Sequence, residues 1–299
     1  MSLGAARTLA QAKINLALRI LGKQTDGYHD IETVFLRLAL GDDVRVHIRE
    51  RTRSLRCGVM RDFPQEKNLA YRAAELYAAE TGWPHGFEIV IKKRIAIGGG
   101  LGGGSADAGA VLRILNALAE KPLPWEKLCA LAARIGSDVP FLASESAMAM
   151  GWGRGDRLLQ LPALPSRDVH LFLPPFGIDT AEAYKLLDES RGDAPAGRPE
   201  LTAEMFDSWE SVARNSVNDF EPVMRAQWPV FDALLGRGDE HGLFYRLSGS
   251  GSTVFKIPGI STRPREKTQP PPPPLAIPQQ TKRVITSTAE SVVPVEILD

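Results

Sequence analysis

The sequence has few cysteines, no long apolar run and no excess of charge of either sign. Its two cysteines, Cys57 and Cys129, are too few for a disulfide framework, and neither lies in a Cys/His cluster typical of zinc sites. The 36 basic and 36 acidic residues cancel, which removes any compositional argument for binding nucleic acid or a membrane surface. Because the N-terminus shows neither a signal peptide nor a membrane-spanning run, we expect a soluble, cytoplasmic protein.

Length and composition are those of a globular protein. At 299 residues the chain predicts two domains or one large α/β domain, and 43% apolar residues are enough for substantial cores. The 27 glycines and 22 prolines are unevenly distributed: six glycines lie between 98 and 104, and eight prolines lie between 258 and 278. These two clusters are the features to explain.

The glycine cluster lies between a predicted strand and a predicted helix. Phe87, Ile89 and Ile91 alternate as in a strand, and the apolar spacing over 105–118 predicts a helix. A glycine loop before a helix offers backbone N–H groups beside the positive end of the helix dipole, a site suited to phosphates. It is not a P-loop, because Ser105-Ala106-Asp107 follows it, and it lacks the βαβ context of a dinucleotide site. The alternative is a flexible surface loop.

The remaining segments complete an α/β pattern. We predict a strand at Val44–Ile48, a helix capped by Asn68, a helix over 126–134 and a strand at Val169–Leu173. Prolines and Ser166 place a domain boundary near residues 154–166, which gives domains 1–160 and 161–299.

The proline cluster predicts an extended, polyproline-like linker over 258–278, because such a segment builds neither a helix nor a central strand. Residues 283–288 again predict a strand.

Two further segments contain side chains suited to catalysis. Lys13 and Asn15 share one face of a predicted strand, and a lysine near phosphate can neutralise developing charge. Asp138 lies in a turn between apolar flanks, where a carboxylate could accept a hydroxyl proton. The alternatives are a solvated edge lysine and a helix-capping aspartate.

In order along the chain, these motifs resemble those of the GHMP kinase superfamily. The resemblance covers roughly residues 11–255 and rests on Ala12-Lys-Ile-Asn-Leu16, Asp26-Gly-Tyr-His29, the glycine loop, Gly136-Ser-Asp-Val-Pro-Phe141 and Leu247-Ser-Gly-Ser-Gly-Ser-Thr-Val-Phe255. Asp26-Gly-Tyr-His29 is its most specific part and is similar to kinases of a cytidine diphosphate methylerythritol in the non-mevalonate isoprenoid pathway. The resemblance implies an α+β fold (α/β, two domains): an N-terminal ribosomal-S5-like βαβ domain and a C-terminal ferredoxin-like α/β domain.

The resemblance also implies the site residues. Lys13 and Asp138 are the implied catalytic pair. The implied ATP site comprises Asn68, Lys93, Ala96, Ile97, Gly98, Gly99, Gly100, Leu101, Gly102, Gly103, Gly104, Ser105 and Ala106. The implied substrate site comprises Asn15, Tyr28, His29, Thr180, Tyr184, Gly249, Ser250 and Gly251, with a cytosine between Tyr28 and Tyr184 and its edge on His29. Residues 218–220 match a segment that we interpret as structural.

The implied reaction is ATP-dependent phosphorylation of the substrate's C2 hydroxyl, with Mg²⁺ carried by ATP and no metal site of the protein's own. The implied partner is a small molecule, without nucleic acid or membrane, and the chain is a monomer or homodimer. A homoserine or mevalonate type of kinase and a non-catalytic nucleotide-binding relative remain alternatives, although Tyr28, His29 and Tyr184 favour the cytidine substrate.

Three features depart from the superfamily pattern. Ala96 replaces the usual proline at the start of the loop, and Ser105-Ala106 replaces a pair of serines, which leaves Ser105 or the backbone to contact the metal or phosphate. Residues 256–282 are proline-rich where relatives have an apolar strand and a helix. Either this segment is a genuine linker or the coding sequence carries two compensating frameshifts, which translation of the other reading frames distinguishes.

Overall fold

The fold consists of two β-sheets and the helices packed on them. A computed structural model describes residues 4–60, 63–192, 197, 199–262 and 280–298. The strands are β1 (Ala5–Lys23), β2 (His29–Arg49), β3 (Arg53–Cys57), β4 (Gly86–Lys92), β5 (Met148–Gly153), β6 (Arg157–Leu161), β7 (Asp168–Leu173), β8 (Leu243–Leu247), β9 (Val254–Ser261), β10 (Lys282–Ser287) and β11 (Glu296–Leu298). The helices are α1 (Leu69–Thr81), α2 (Gly103–Leu118), α3 (Trp125–Ala133), α4 (Val139–Ala143), α5 (Thr180–Arg191), α6 (Trp209–Asn215), α7 (Glu221–Gln227) and α8 (Pro229–His241), with 3-10 turns at Gly58–Met60, Gln65–Lys67 and Ala203–Phe206.

The first sheet is built around the two long strands β1 and β2. Its order is β11-β1-β2-β4-β3, and β5 pairs with β2 and with β6. The early half of β2 pairs with β5 and its later half with β4, both antiparallel, so one strand supports two neighbours. Among the described strands of this sheet, β3 and β4 form the one parallel pair.

Helix α2 is the centre of the larger core. Residues 106–115 of this helix are all buried, and small residues let it approach its neighbours closely. At Gly109 a Cβ atom would lie 2.6 Å from the backbone of Leu142, so α2 and α4 pack backbone to backbone. The packing places the N-terminus of α2 at the end of β4, where the glycine loop connects them.

The second sheet has the order β10-β7-β9-β8, with all pairs antiparallel. Its smaller core joins Phe172, Val254 and Leu247 to α5, α7 and α8, and it includes Leu18 and Ile20 from β1. Because β1 contributes to both cores, the two sheets are packed against one another.

The structure confirms the predicted α+β class and each predicted helix and strand. One expectation is wrong: residues 258–261 continue β9 rather than starting a linker. The β8–β9 ladder skips from Tyr245–Lys256 to Leu243–Ser261, so Pro258 lies in an irregular stretch where its missing N–H breaks no ladder bond. The rest of the predicted linker, from 263 to 278, lies outside the described residues.

The division into domains 1–160 and 161–299 stays a prediction, and β11 pairs with β1 in the first sheet. Within the described ranges, none of the helices is both long and apolar enough to cross a membrane.

Candidate active site

A cleft of about 570 Å³ lies where the glycine loop faces the second sheet. The lining includes Lys13, Asn15, Asn68, Lys93, residues 96–105, Asp138, Thr180, Tyr184, Gly249 and Ser250. The structure therefore brings together most of the predicted site from six separate stretches of sequence. Four predicted residues, Tyr28, His29, Ala106 and Gly251, lie outside this lining.

The glycine loop is held through its carbonyl groups. Gly99 O accepts from Thr253 N (3.1 Å), Gly100 O from Ser248 Oγ (2.9 Å) and Leu101 O from Lys13 N (3.0 Å). With these carbonyls occupied by protein donors, the loop's N–H groups are the polar atoms suited to an anion in the cleft. The first turn of α2 begins directly after the loop and adds the positive end of its dipole.

Glycine is required at the centre of this loop. Gly100 has φ +74°, and a Cβ atom there would lie 2.2 Å from Ser248 O and 2.7 Å from Gly251 O. Any side chain would therefore push the loop away from residues 248–251, which form a second glycine turn between β8 and β9.

Lys13 and Asp138 form an ion pair at the floor of the cleft. Lys13 Nζ lies 3.2 Å from Asp138 Oδ2 and donates to Asn15 Oδ1 at 2.8 Å. Lys13 is buried, whereas the Asp138 side chain is 29% exposed toward the cleft. The Asn15 amide donates to Thr33 Oγ1 (2.8 Å), which donates to Ala17 O, so the amide is fixed with its oxygen toward Lys13.

Irregularities in β1 set the direction of the Lys13 and Asn15 side chains. The β1–β2 register shifts between Gln11 and Lys13 and again between Asn15 and Ala17. Bulges of this kind re-aim side chains and recur next to active sites. Strand periodicity placed Lys13 and Asn15 on one face, but it does not reveal the bulges.

Arg37 fixes α4, the helix that begins directly after Asp138. Its guanidinium is buried and donates to the carbonyls of Phe141 (2.7 Å), Ser144 (2.9 Å) and Ser146 (2.9 Å) around the end of α4. Burial lowers the pKa of Arg37 to about 9. Because Asp138 immediately precedes α4, anchoring this helix also positions the carboxylate.

An aromatic pair lies at the other end of the cleft. The rings of His29 and Tyr184 stack with centroids 4.4 Å apart, and His29 Nε2 lies 2.7 Å from Asp188 Oδ1. Burial raises the pKa of Tyr184 to about 12, with further contributions from Asp138 and Asp188. Burial opposes ionisation of Asp188, but Lys23 and His29 hold the pKa of this carboxyl below its ordinary value.

Tyr28 does not join that stack. Its ring is 56% exposed and lies under the Arg154 guanidinium, 4.0 Å from the ring centroid. Arg154 also lines the cleft, although the sequence analysis did not single it out.

The second glycine turn reaches the Lys13–Asp138 ion pair. A Cβ atom on Gly249 would lie 3.5 Å from Lys13 Nζ, and Ser250 Oγ lies 3.4 Å from Thr180 Oγ1. Asn218 donates to Leu247 O and Gly249 O, both at 2.8 Å, and so holds this turn in place. These contacts agree with the structural role predicted for residues 218–220.

Other residues missed by sequence reasoning lie under the site. Thr33, Arg37, Asp42 and Asp107 are buried polar side chains within strands or a helix. A charged residue in an otherwise apolar stretch is a signal that could have found Asp107, which lies among the small and apolar residues of α2. Asp42, in Gly41-Asp42-Asp43, carries no such signal.

Relatives of this chain are known in sequence and in structure. The profile of the GHMP kinases N terminal domain matches residues 68–146. A 4-diphosphocytidyl-2-C-methyl-D-erythritol kinase of Desulfitobacterium hafniense (strain Y51) is 38% identical over 83% of this chain and 85% of its own length. The kinase of the same name from Thermotoga maritima is 37% identical over 85% of this chain and 92% of its own.

Solved structures of kinases resemble this chain in fold. A crystal structure of 4-(cytidine 5'-diphospho)-2C-methyl-D-erythritol kinase superposes with a TM-score of 0.68 at 34% identity, over 84% of this chain and 89% of that one. Homoserine kinase from Cytophaga hutchinsonii shares the fold, with a TM-score of 0.65 at 15% identity. With identity of this order across most of the sequence, the chain belongs to the 4-diphosphocytidyl-2-C-methyl-D-erythritol kinase family of GHMP kinases.

Proposed function

We propose that this chain transfers the γ-phosphoryl group of ATP to the C2 hydroxyl of 4-diphosphocytidyl-2-C-methyl-D-erythritol, giving the 2-phosphate and ADP for isoprenoid precursors. The observation that carries the proposal is the Lys13–Asp138 pair, 3.2 Å apart and facing the same cleft as the glycine loop. An alcohol bound at Lys13 and Asp138 would lie beside the glycine loop, where the phosphates of ATP are proposed to bind. Family membership supplies the substrate and the donor.

In the reaction, Asp138 accepts the proton of the C2 hydroxyl as its oxygen attacks the γ-phosphorus. A new oxygen–phosphorus bond forms, and the bond from the γ-phosphorus to the ADP oxygen breaks. Lys13 lies against Asp138, and its positive charge stabilises the alkoxide that develops. Asn15 and the second glycine turn hold the ammonium in place.

The glycine loop and the start of α2 hold the phosphates of ATP. Phosphoryl transfer needs positioning and charge stabilisation more than covalent chemistry from the protein. Asn68 lines the same cleft, and its side-chain oxygen caps α1, which leaves its amide N–H₂ available to the nucleotide.

The residues present fit a magnesium ion carried by ATP. The Ser105 hydroxyl lines the cleft as an oxygen donor, the type that Mg²⁺ prefers, and it would hold the ion together with the phosphates. Bound there, the ion would neutralise charge on the β- and γ-phosphates. Across the described ranges, no three His, Cys, Asp or Glu side chains are grouped to hold a metal by themselves.

The aromatic end of the cleft receives the cytidine. Tyr184 lines the cleft with its ring stacked on His29, and a base stacked on an aromatic ring gains about 1–3 kcal/mol. Asp188 fixes the orientation of the His29 ring, and the Arg154 guanidinium on the Tyr28 ring offers a cation and an aromatic surface to the diphosphocytidyl group.

The direct test is a phosphoryl-transfer assay with ATP and several alcohols. We expect transfer to 4-diphosphocytidyl-2-C-methyl-D-erythritol and none to homoserine or mevalonate. Tight ATP binding without product from any of these alcohols would instead support a non-catalytic nucleotide-binding protein.

A variant tests the role of the base. We expect Asp138→Asn to lose nearly all turnover while its affinity for ATP changes little, because the carboxylate acts on the alcohol. Asp232→Asn is the matched control, since Asp232 is also ion-paired, with Arg225 at 2.9 Å, and does not line the cleft. Turnover of Asp138→Asn equal to that of the control would refute the assignment.

Because ATP and the cytidine nucleotides are cytoplasmic metabolites, we propose the cytoplasm as the place of action. The kinase would act on its small-molecule substrate as a monomer or homodimer.

A further inference from the structure

Three charged side chains form a buried cluster beneath the glycine loop. Lys93 Nζ lies 2.5 Å from Asp42 Oδ2 and 2.8 Å from Asp107 Oδ2, and the three side chains are at most 7% exposed. Asp42 comes from β2, Lys93 directly follows β4, and Asp107 lies in the second turn of α2. The cluster therefore links the end of β4 to α2, the two elements that the glycine loop connects.

Asp42 also fixes the segment that enters the loop. Its Oδ1 accepts from the backbone N–H groups of Arg94 (2.5 Å) and Ile95 (2.9 Å), the two residues before Ala96. The entry of the loop is thus held by two hydrogen bonds and an ion pair from one carboxylate. Through Lys93, the same carboxylate is tied to the helix that follows the loop.

Burying these three side chains carries a desolvation cost. A Cβ atom on Gly103 would lie 3.4 Å from Lys93 Nζ, so the ammonium lies beside the positive N-terminus of α2. Burial alone would lower the pKa of Lys93, but Asp107 and Asp42 raise it above its ordinary value. Buried ion pairs of this kind contribute little net stability compared with well-packed apolar residues, so stability alone does not account for the cluster.

We propose that Asp42, Lys93 and Asp107 act as a clamp on the glycine loop. The clamp sets the separation and orientation of the end of β4 and the start of α2, and thereby the affinity of the loop for the phosphates of ATP. The three are positioning residues in this role. The proposal rests on the proposed function, because it takes the loop as the ATP site. Asp42 is the sharpest probe, since it is fully buried and does not line the cleft.

The geometry predicts different results for particular variants. In Asp42→Asn the amide oxygen can keep the two backbone N–H bonds, but its N–H₂ group then faces the Lys93 ammonium. In Asp107→Asn the amide oxygen can still accept from Lys93, whereas Asp107→Ala leaves that side of the ammonium without a partner.

Glu32 provides a matched control for Asp42. It is also a fully buried carboxylate on β2, and it accepts from two successive backbone N–H groups, those of Glu200 (3.0 Å) and Leu201 (2.9 Å). In Glu32→Gln the new amide N–H₂ faces one of these N–H groups, which is a comparable clash at a residue that does not itself line the cleft.

The experiment measures the affinity for a non-hydrolysable ATP analogue with magnesium by calorimetry, beside the melting temperature of each full-length variant. We expect Asp42→Asn to bind the analogue at least tenfold more weakly than Glu32→Gln at a similar loss of melting temperature. We also expect Asp107→Asn to bind at least fivefold more tightly than Asp107→Ala. Equal affinities for Asp42→Asn and Glu32→Gln would overturn the clamp.

Failure of the proposed function has a separate signature. If the wild-type chain binds the analogue but transfers no phosphoryl group to the cytidine substrate, the reaction is wrong while the differences in analogue affinity still decide the clamp.

Discussion

A methyl group at Gly100 tests how closely the glycine loop fits the second turn. We expect Gly100→Ala to lose ATP affinity and stability, because its Cβ would meet Ser248 O at 2.2 Å. Gly82→Ala is the control: Gly82 has nearly the same φ, +73°, with nothing within 4 Å of a Cβ, so backbone strain of about 1–3 kcal/mol acts alone. Urea unfolding and titration with an ATP analogue measure both effects. Equal losses in the two variants would contradict the close fit.

Asp107 makes stability depend on pH. Burial raises the pKa of Asp107 to about 7 from an ordinary value of 3.8, against the opposing attraction of Lys93. Between these values the folded state holds a proton that the unfolded state has lost, so this group's contribution to stability falls as pH rises. As pH rises from about 5 to about 8, we expect the unfolding free energy of Asp107→Asn to fall less than that of the wild type. Parallel pH profiles from urea unfolding would show that the Asp107 carboxyl is not protonated in the folded protein.

The residues that sequence reasoning found are those whose motif is local. Lys13 and Asn15 share a strand face, and Asp138 lies in a recognisable turn, so short patterns were enough. Arg37 could not be found this way, because its partner Phe141 lies 104 residues away and only the packing of α4 on the sheet brings the two together.

At the level of elements, α1 combines a structural and a proposed binding role at one residue. The Asn68 oxygen accepts from Ala70 N at 2.9 Å as the N-cap, and the side chain lines the cleft. We expect Asn68→Asp to keep the cap and the melting temperature but to weaken ATP binding, since it replaces the amide donor by a negative charge. Asn68→Ala should lose both, with about 1 kcal/mol of stability. If Asn68→Asp bound ATP as the wild type does, the amide would have no part in the site.

Helix and strand types were predictable because their periodicities are regular. The lengths of β1 and β2 were not, since both strands continue through register shifts that leave no sequence mark. The continuation of β9 past Pro258 was missed for a related reason: proline argues against a central strand, but here the ladder is interrupted at that residue.

At the scale of the whole molecule, the C-terminal segment ties the second sheet back to the first. After β10, Ala289 N donates to Arg37 O, Val293 N donates to Gln11 Oε1, and Val293 O accepts from Arg113. Strand β11 then pairs with β1. Long-range pairing of this kind cannot be predicted from local patterns, which is why the analysis of the sequence assigned the tail to the second domain alone.

Truncation of that segment should have a graded effect. Removal of residues 296–299 takes away a short edge strand and the exposed Arg7–Glu296 pair, so we expect a small fall in melting temperature. Removal of residues 289–299 also leaves the buried Gln11 and Arg113 without these partners, and we expect a loss of several kcal/mol. Thermal unfolding of the two truncated chains measures the difference. A fall of the same size in both would assign the stabilisation to β11.

The three carbonyl groups that hold the glycine loop link the binding of the two substrates. Thr253, Ser248 and Lys13 are their donors, so hydrogen bonds join the loop to the second turn and to the strand that carries Lys13. We expect the substrate that binds first to restrict the motion of these joined segments, so that the second binds at a lower entropic cost. The enzyme should therefore bind ATP and its alcohol synergistically, each raising the affinity for the other by the same factor whatever the order of addition.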